Sequence, residues 1–180
     1  MEMKSTQKWF MPALLFILSY EWIVSSVNKL VAPNYLKGVQ DQMSQAESGV
    51  QFHPYATLLK SVGLHHAELF ASLVLVGEMF VGLTFVMMGI LMLKNVVDGP
   101  MFNLGGIAAV VAAFMSLNYA LLGGDTLFID PSNAFQQGIS IDWLMFAIEV
   151  SLSVLWFRSA RGITSTHRNH SGSASSASIM

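Results

Sequence analysis

Four stretches of this chain, at about 9–31, 67–93, 102–122 and 139–157, are apolar over the roughly 20 residues that a helix needs to cross about 30 Å of hydrocarbon. Three of them carry a glutamate near the middle: Glu21, Glu78 and Glu149. A charged side chain at that depth costs about 2.5–3.5 kcal/mol on insertion scales, so such residues normally face a bundle interior, find partners or stay protonated. These two facts predict an all-α fold, an integral membrane four-helix bundle, with a polar feature built into its middle.

The rest of the composition agrees. Hydrophobic residues make up 53% of the 180, charged residues 11%, and the mean hydropathy is +0.54, which leaves too little polar surface to cover a soluble globule. The net charge of −2 has no long basic or acidic run behind it, so nucleic acid is not an expected partner, whereas the lipid bilayer is. Cysteine is absent, which excludes a disulfide, a thiolate metal site or a dithiol redox pair in this subunit.

The expected organisation is one membrane domain over 1–163, in which the first apolar run is a span, and a disordered cytoplasmic tail over 164–180, which is rich in Ser, Ala and Gly. Lys4, Lys8, Lys94, Arg158, Arg161 and Arg168 would share one side, while Lys37, Lys60 and Lys29 fall on the other. The basic-residue bias therefore predicts both termini in the cytoplasm of a cell with an inner or plasma membrane of bacterial type. Of the two outward connections, 32–66 contains helix-like pieces from Asn34 to Lys37 onward and from Pro54 to Lys60, read as short surface helices. The other, 123–138, carries the turn signals Gly123-Gly124-Asp125 and Asp130-Pro131 and reads as an irregular lid.

Helical spacing sorts the polar residues into faces. Glu21, Ser25 and Asn28 share a side of the first span; Ala71, Glu78, Gly82, Phe85 and Gly89 share one of the second; Asp142, Glu149 and Ser153 share one of the fourth. Each is expected to face inward. In the third span, Gly105, Ala109 and Ala113 form a small-residue stripe for close helix packing. Alternating helix direction places the three glutamates at mid-membrane and gathers Asn28, Lys29, Glu68, Asn118 and Asp142 toward the outer surface. Lys29 is the one basic side chain at that level, with Glu68 or Asp142 as expected partners. His65 and His66 point about 100° apart on a helix and cannot readily share a metal, so no metal site is expected. A buried glutamate can equally serve as a packing hydrogen bond of about 0.6 kcal/mol.

Gly77-Glu78-Met79-Phe80-Val81-Gly82-Leu83, followed by Met88-Gly89, resembles the second-helix motif of the DoxX family. Ser26-Val27-Asn28-Lys29-Leu30, Phe52-His53-Pro54-Tyr55 and Ser140-Ile141-Asp142 resemble the end of its first helix, its outer loop and the opening of its last helix, so the likeness covers most of residues 15–155. The chain departs from the family at Tyr20-Glu21, where an arginine is common, at Ser26, where a glycine is common, and in lacking a Thr-Arg pair at the end of the second helix. A function resting on that arginine is not expected here. The family includes DoxD, which is similar to the small membrane subunit of a thiosulfate:quinone oxidoreductase. The resemblance implies a membrane subunit of a quinone-linked oxidoreductase, with Glu78 as proton donor or acceptor, Asp142 and Glu68 as the outward proton route, and Lys29 as the charge partner. Asn28, Asn118, Glu149 and Glu21 would supply polar groups to a quinone pocket. Nothing resembles a flavin fold, a haem ligand pair or an iron–sulfur motif, so no covalently bound cofactor is expected, quinone is the cofactor implied, and electrons would come from a partner redox subunit. The alternatives are a small proton-coupled transporter and a non-catalytic membrane scaffold for a peripheral partner.

Overall fold

A computed structural model of the chain describes residues 5–49, 53–123 and 139–176, and among these every regular element is helical. The elements are α1 (Ser5–Val31), α2 (Tyr35–Gly49), α3 (His53–Leu58), α4 (Ala67–Leu93), α5 (Gly99–Leu122) and α6 (Ile141–Ser176). A π-helical turn, Leu59–Gly63, and a 3₁₀ turn, Leu64–His66, join α3 to α4 without a loop. Three segments are long and apolar enough to cross a membrane: Trp9–Val31, His53–Leu93 and Gly99–Leu122. The fourth long helix, α6, carries Asp142, Glu149 and Arg158.

The long helices pack in a chain of neighbours, α1 on α4, α4 on α5 and α5 on α6. Their shared core draws Leu15, Leu18 and Trp22 from α1, Val81, Phe85 and Met88 from α4, alanines 108, 109 and 112 with Met115 from α5, and Met145, Leu152 and Trp156 from α6. Small residues set the closest approaches. A Cβ on Gly82 would lie 2.6 Å from Ile23 Cγ1 and 3.2 Å from the Ile23 backbone nitrogen, so this glycine lets α1 and α4 meet backbone to backbone. On α5, Gly105, Ala109 and Ala113 are all buried, as their spacing predicts, and a Cβ on Gly105 would lie 2.8 Å from the Trp156 ring. Trp156 in turn meets Phe85 edge-on at 5.8 Å, tying α6 to α4.

A second, smaller core of Met43, Leu59 and Ala67, with Tyr55, Phe70 and Leu122 against it, seats α2 and α3 on the ends of α4 and α5. The helices expected in the first outer connection are therefore present and also packed. α5 begins at Gly99 rather than near 102, because the Asp98 carboxylate caps it by accepting from the Met101 N–H at 3.0 Å and Pro100 suits the first turn. Asn95 turns the chain between α4 and α5 at φ 55°, a left-handed conformation that asparagine tolerates. α6 is helical from Ile141 to Ser176. Of the lid expected over 123–138, all but Gly123 lies outside the described residues.

The two kinds of glycine give contrasting outcomes. Gly82→Val should lower the stability of the detergent-purified chain by about 1–3 kcal/mol, because the added methyls have no space between α1 and α4. Gly38→Ala on α2, where a Cβ would meet nothing within 4 Å, should be neutral or stabilising by about 0.5–1 kcal/mol. Thermal unfolding of both variants decides it, and equal effects would show that the α1–α4 contact is not so tight.

Candidate functional site: two buried carboxylates joined by an aromatic pair

Glu78 projects from the middle of α4 with no solvent exposure, and three donors converge on one of its oxygens. Oε1 accepts from Lys29 Nζ at 2.6 Å, from the Tyr119 hydroxyl at 2.5 Å and from Ser25 Oγ at 2.9 Å. Lys29 also donates to Ser25 Oγ at 2.7 Å and lies 5.4 Å from the centre of the Tyr119 ring. Charge-assisted bonds of this length are the strong class, and the ammonium balances the carboxylate where solvent cannot. The other oxygen, Oε2, is buried and has no hydrogen-bond partner among the described residues.

Glu149 on α6 is equally buried but differently held. Its Oε1 accepts from the Trp22 indole N–H at 2.9 Å, and its Oε2 accepts from Ser116 Oγ at 2.7 Å. Both oxygens are thus occupied, and the carboxylate clasps α1, α5 and α6 together. Trp22 stacks on Tyr119 with ring centres 6.4 Å apart and planes 28° apart, so the donor to one carboxylate lies against the donor to the other. Trp156 Nε1 is the other buried side-chain nitrogen or oxygen left without a partner among the described residues.

Lys29 also lines an open cavity of about 550 Å³ at the end of α1, walled by the turn through Pro33 and Asn34, by Tyr35 and Lys37 of α2, and by Ser72 and Leu75 of α4. It is the link from that cavity to Glu78. The Tyr35 hydroxyl donates to the Ala71 carbonyl at 3.1 Å, and burial, then the Glu78 charge, push its phenol up to about 12, so it stays neutral at ordinary pH.

The sequence-predicted residues divide accordingly. Glu78 and Lys29 are brought into direct contact, so Lys29 is paired with Glu78 rather than with Glu68 or Asp142. Its four-carbon stem carries the ammonium from the cavity down to the carboxylate. Glu149 joins through the Trp22–Tyr119 stack, and Asp142 is half-buried within electrostatic reach of Tyr119 and Glu149. Glu68 is exposed on the first turn of α4. Asn118 serves packing: its Oδ1 accepts from the Tyr55 hydroxyl at 3.0 Å and its Nδ2 donates to the Phe114 carbonyl at 2.6 Å.

The face assigned to α1 needs correction. Glu21 and Asn28 are exposed, and the inward stripe is Leu15, Leu18, Ser19, Trp22 and Ser26, about 100° round the helix. Burying the large indole, whose N–H finds Glu149, outweighs burying the Glu21 side chain. Spacing also reads α5 as packing alone and misses Ser116 and Tyr119. Ser116 lies three residues beyond Ala113 and the half-buried Tyr119 three beyond that, so both continue the α5 stripe, which was the available signal. No group of three or more His, Cys, Asp or Glu that could hold a metal occurs among the described residues. Comparison with protein-family models, with curated proteins and with solved structures gives no match to this chain.

Removing the one donor to a buried carboxylate oxygen leaves that acceptor unpaired, which costs about 1–3 kcal/mol. Trp22→Phe, which keeps most of the ring and removes the N–H to Glu149, should therefore destabilise the chain by that amount in thermal unfolding. Ser25→Ala should cost less, because Glu78 Oε1 retains Lys29 and Tyr119. A reversed order would refute the view that Glu149 is the structural carboxylate.

Proposed function

We propose that the chain is a DoxX-like subunit whose four long helices cross the membrane as a bundle, with both termini cytoplasmic, and that it handles protons beside a quinone-type headgroup for a partner redox subunit. The observation that carries the reading is the asymmetry of Glu78. One oxygen is fixed by Lys29, Tyr119 and Ser25, while the other is buried and free to bind or release a proton, or to accept from a quinol hydroxyl. The resemblance of Gly77-Glu78 and its following glycines to the DoxX second-helix motif supports the same residue.

In this mechanism Lys29 holds the carboxylate in place and balances its charge, and Tyr119 donates to the fixed oxygen. The cavity that Lys29 lines gives access from the outer side, and the proton moves at Glu78 Oε2. Glu149 is assigned the structural part, since its two oxygens hold α1, α5 and α6 together. The bilayer is the setting, quinone the cofactor class, and the electrons come from the partner.

Glu78→Gln keeps the shape and the acceptor oxygen but removes the exchangeable proton site. It should lower quinone-linked turnover in native membranes by about 100-fold or more, the low end for general acid–base catalysis, with assembly intact. Unchanged turnover in both Glu78→Gln and Glu78→Ala would sink the proposal. Topology has its own test, made clean by the absence of native cysteine. A membrane-impermeant thiol reagent added to intact cells should label Ser44→Cys on α2 and reach Asn95→Cys only after permeabilisation. The opposite pattern would invert the orientation, and labelling of both in intact cells would refute the membrane placement.

A further inference from the structure

The cavity at the end of α1 has a lining that access to Glu78 does not explain. Lys29 and Lys37 both contribute to it, and no aspartate or glutamate does. The Lys29 ammonium is balanced by Glu78, whereas Lys37, exposed on the first turn of α2, has no ion-pair or hydrogen-bond partner among the described residues. One positive charge is therefore left unmatched in the cavity, and the Asn34 amide adds a neutral donor to the lining. Much of the remaining wall is apolar, from Leu30, Pro33, Leu36 and Leu75. Leu30 and Leu36 are 58% and 48% exposed, so apolar side chains stand open beside an unmatched cation.

The combination selects a class of ligand. A free anion would gain from Lys37 but nothing from the leucines, and a neutral amphiphile would gain from the leucines but nothing from the charge. A phospholipid with one net negative charge, a phosphodiester on an apolar body, uses both. The position agrees with this. The apolar run of α1 ends at Val31, so once α1 crosses the bilayer the cavity lies where hydrocarbon gives way to headgroups. Its volume of about 550 Å³ falls within the roughly 300–1,000 Å³ of small-molecule sites. We infer that the cavity binds one anionic phospholipid, with the phosphodiester on Lys37, the first methylenes of its chains against Leu30 and Leu75, and Lys29 remaining on Glu78. Lysine serves such a group as a compact point charge. A quinone headgroup is uncharged, so a requirement for the Lys37 charge is specific to the lipid. The inference rests on the membrane placement above and not on the role given to Glu78.

The full chain, purified in mild detergent, titrated with phosphatidylglycerol and read by native mass spectrometry, should hold one molecule of this lipid more tightly than phosphatidylcholine, whose choline cancels the phosphate charge. Lys37→Gln should weaken phosphatidylglycerol binding about fivefold, the effect of one lysine at an anionic lipid surface, and leave phosphatidylcholine unchanged. Lys37→Arg should keep the wild-type affinity. Lys94→Gln, which removes the same charge at the opposite end of α4, should have no effect. Lys37 is exposed, and equal melting temperatures without added lipid confirm that each variant is folded. Equal affinity for the two lipids, binding indifferent to Lys37→Gln, or an equal loss in Lys94→Gln would each overturn the inference. Displacement of phosphatidylglycerol by an equal concentration of inorganic phosphate would assign the cavity to a free anion and overturn it as a lipid site. Failure of the topology labelling would overturn it by a separate route, removing the membrane placement on which it stands.

Discussion

A carboxylate cut off from solvent has to be held by donors, and the arrangement around Glu78 follows from that requirement. Lys29 reaches it from α1 and Tyr119 from α5, so the charge on α4 organises its two neighbours. Gly82, one turn further along α4, brings the α1 backbone close enough for Ser25 and Lys29 to reach the same oxygen. The ion pair is not a net source of stability, since taking both charges out of water costs about what their attraction returns. Its consequence is specificity: only one rotation and one depth of α1 against α4 leaves neither charge alone.

The second carboxylate solves the same problem without a cation. Glu149 is held by an indole N–H and a serine hydroxyl, and α1 and α6, which share few direct backbone contacts, are joined through that bond. Trp22 therefore has two duties, filling the core beside Leu18 and Phe85 and donating to Glu149. Its stack on Tyr119 gives the two carboxylates a common wall, so a shift of either donor is felt at both.

The sequence makes the helical class, the approximate ends of the long helices and the inward faces of α4 and α5 legible, because each rests on apolar length or on the spacing of small residues. The capping of α5 by Asp98 was legible too, in the Asp-Gly-Pro run, but falls outside an apolar window. What spacing cannot give is rotation when two faces compete. On α1 the polar set Glu21, Ser25 and Asn28 and the set Trp22, Ser26 and Lys29 lie one residue apart, and both read as an inward stripe. The choice between them is made by a bond across 127 positions of sequence, from Trp22 to Glu149, which no local pattern contains. The donors on α5 were obscured for a related reason, since Ser116 and Tyr119 extend a stripe whose other members only pack.

The difference between the two buried glutamates bears on where chemistry can occur. Of about four acceptor sites on a carboxylate, Glu149 has one donor on each oxygen, whereas Glu78 has three donors on Oε1 and, among the described residues, none on Oε2. The crowded oxygen of Glu78 is the one that ties α4 to Lys29 and Ser25 of α1 and to Tyr119 of α5. Lys29 is the member of the cluster that lines the cavity at the end of α1, and its long stem spans from that cavity to the carboxylate. One ion pair thus joins a carboxylate buried on α4 to the cavity at the end of α1, beside a core that Phe85 and the α5 alanines fill.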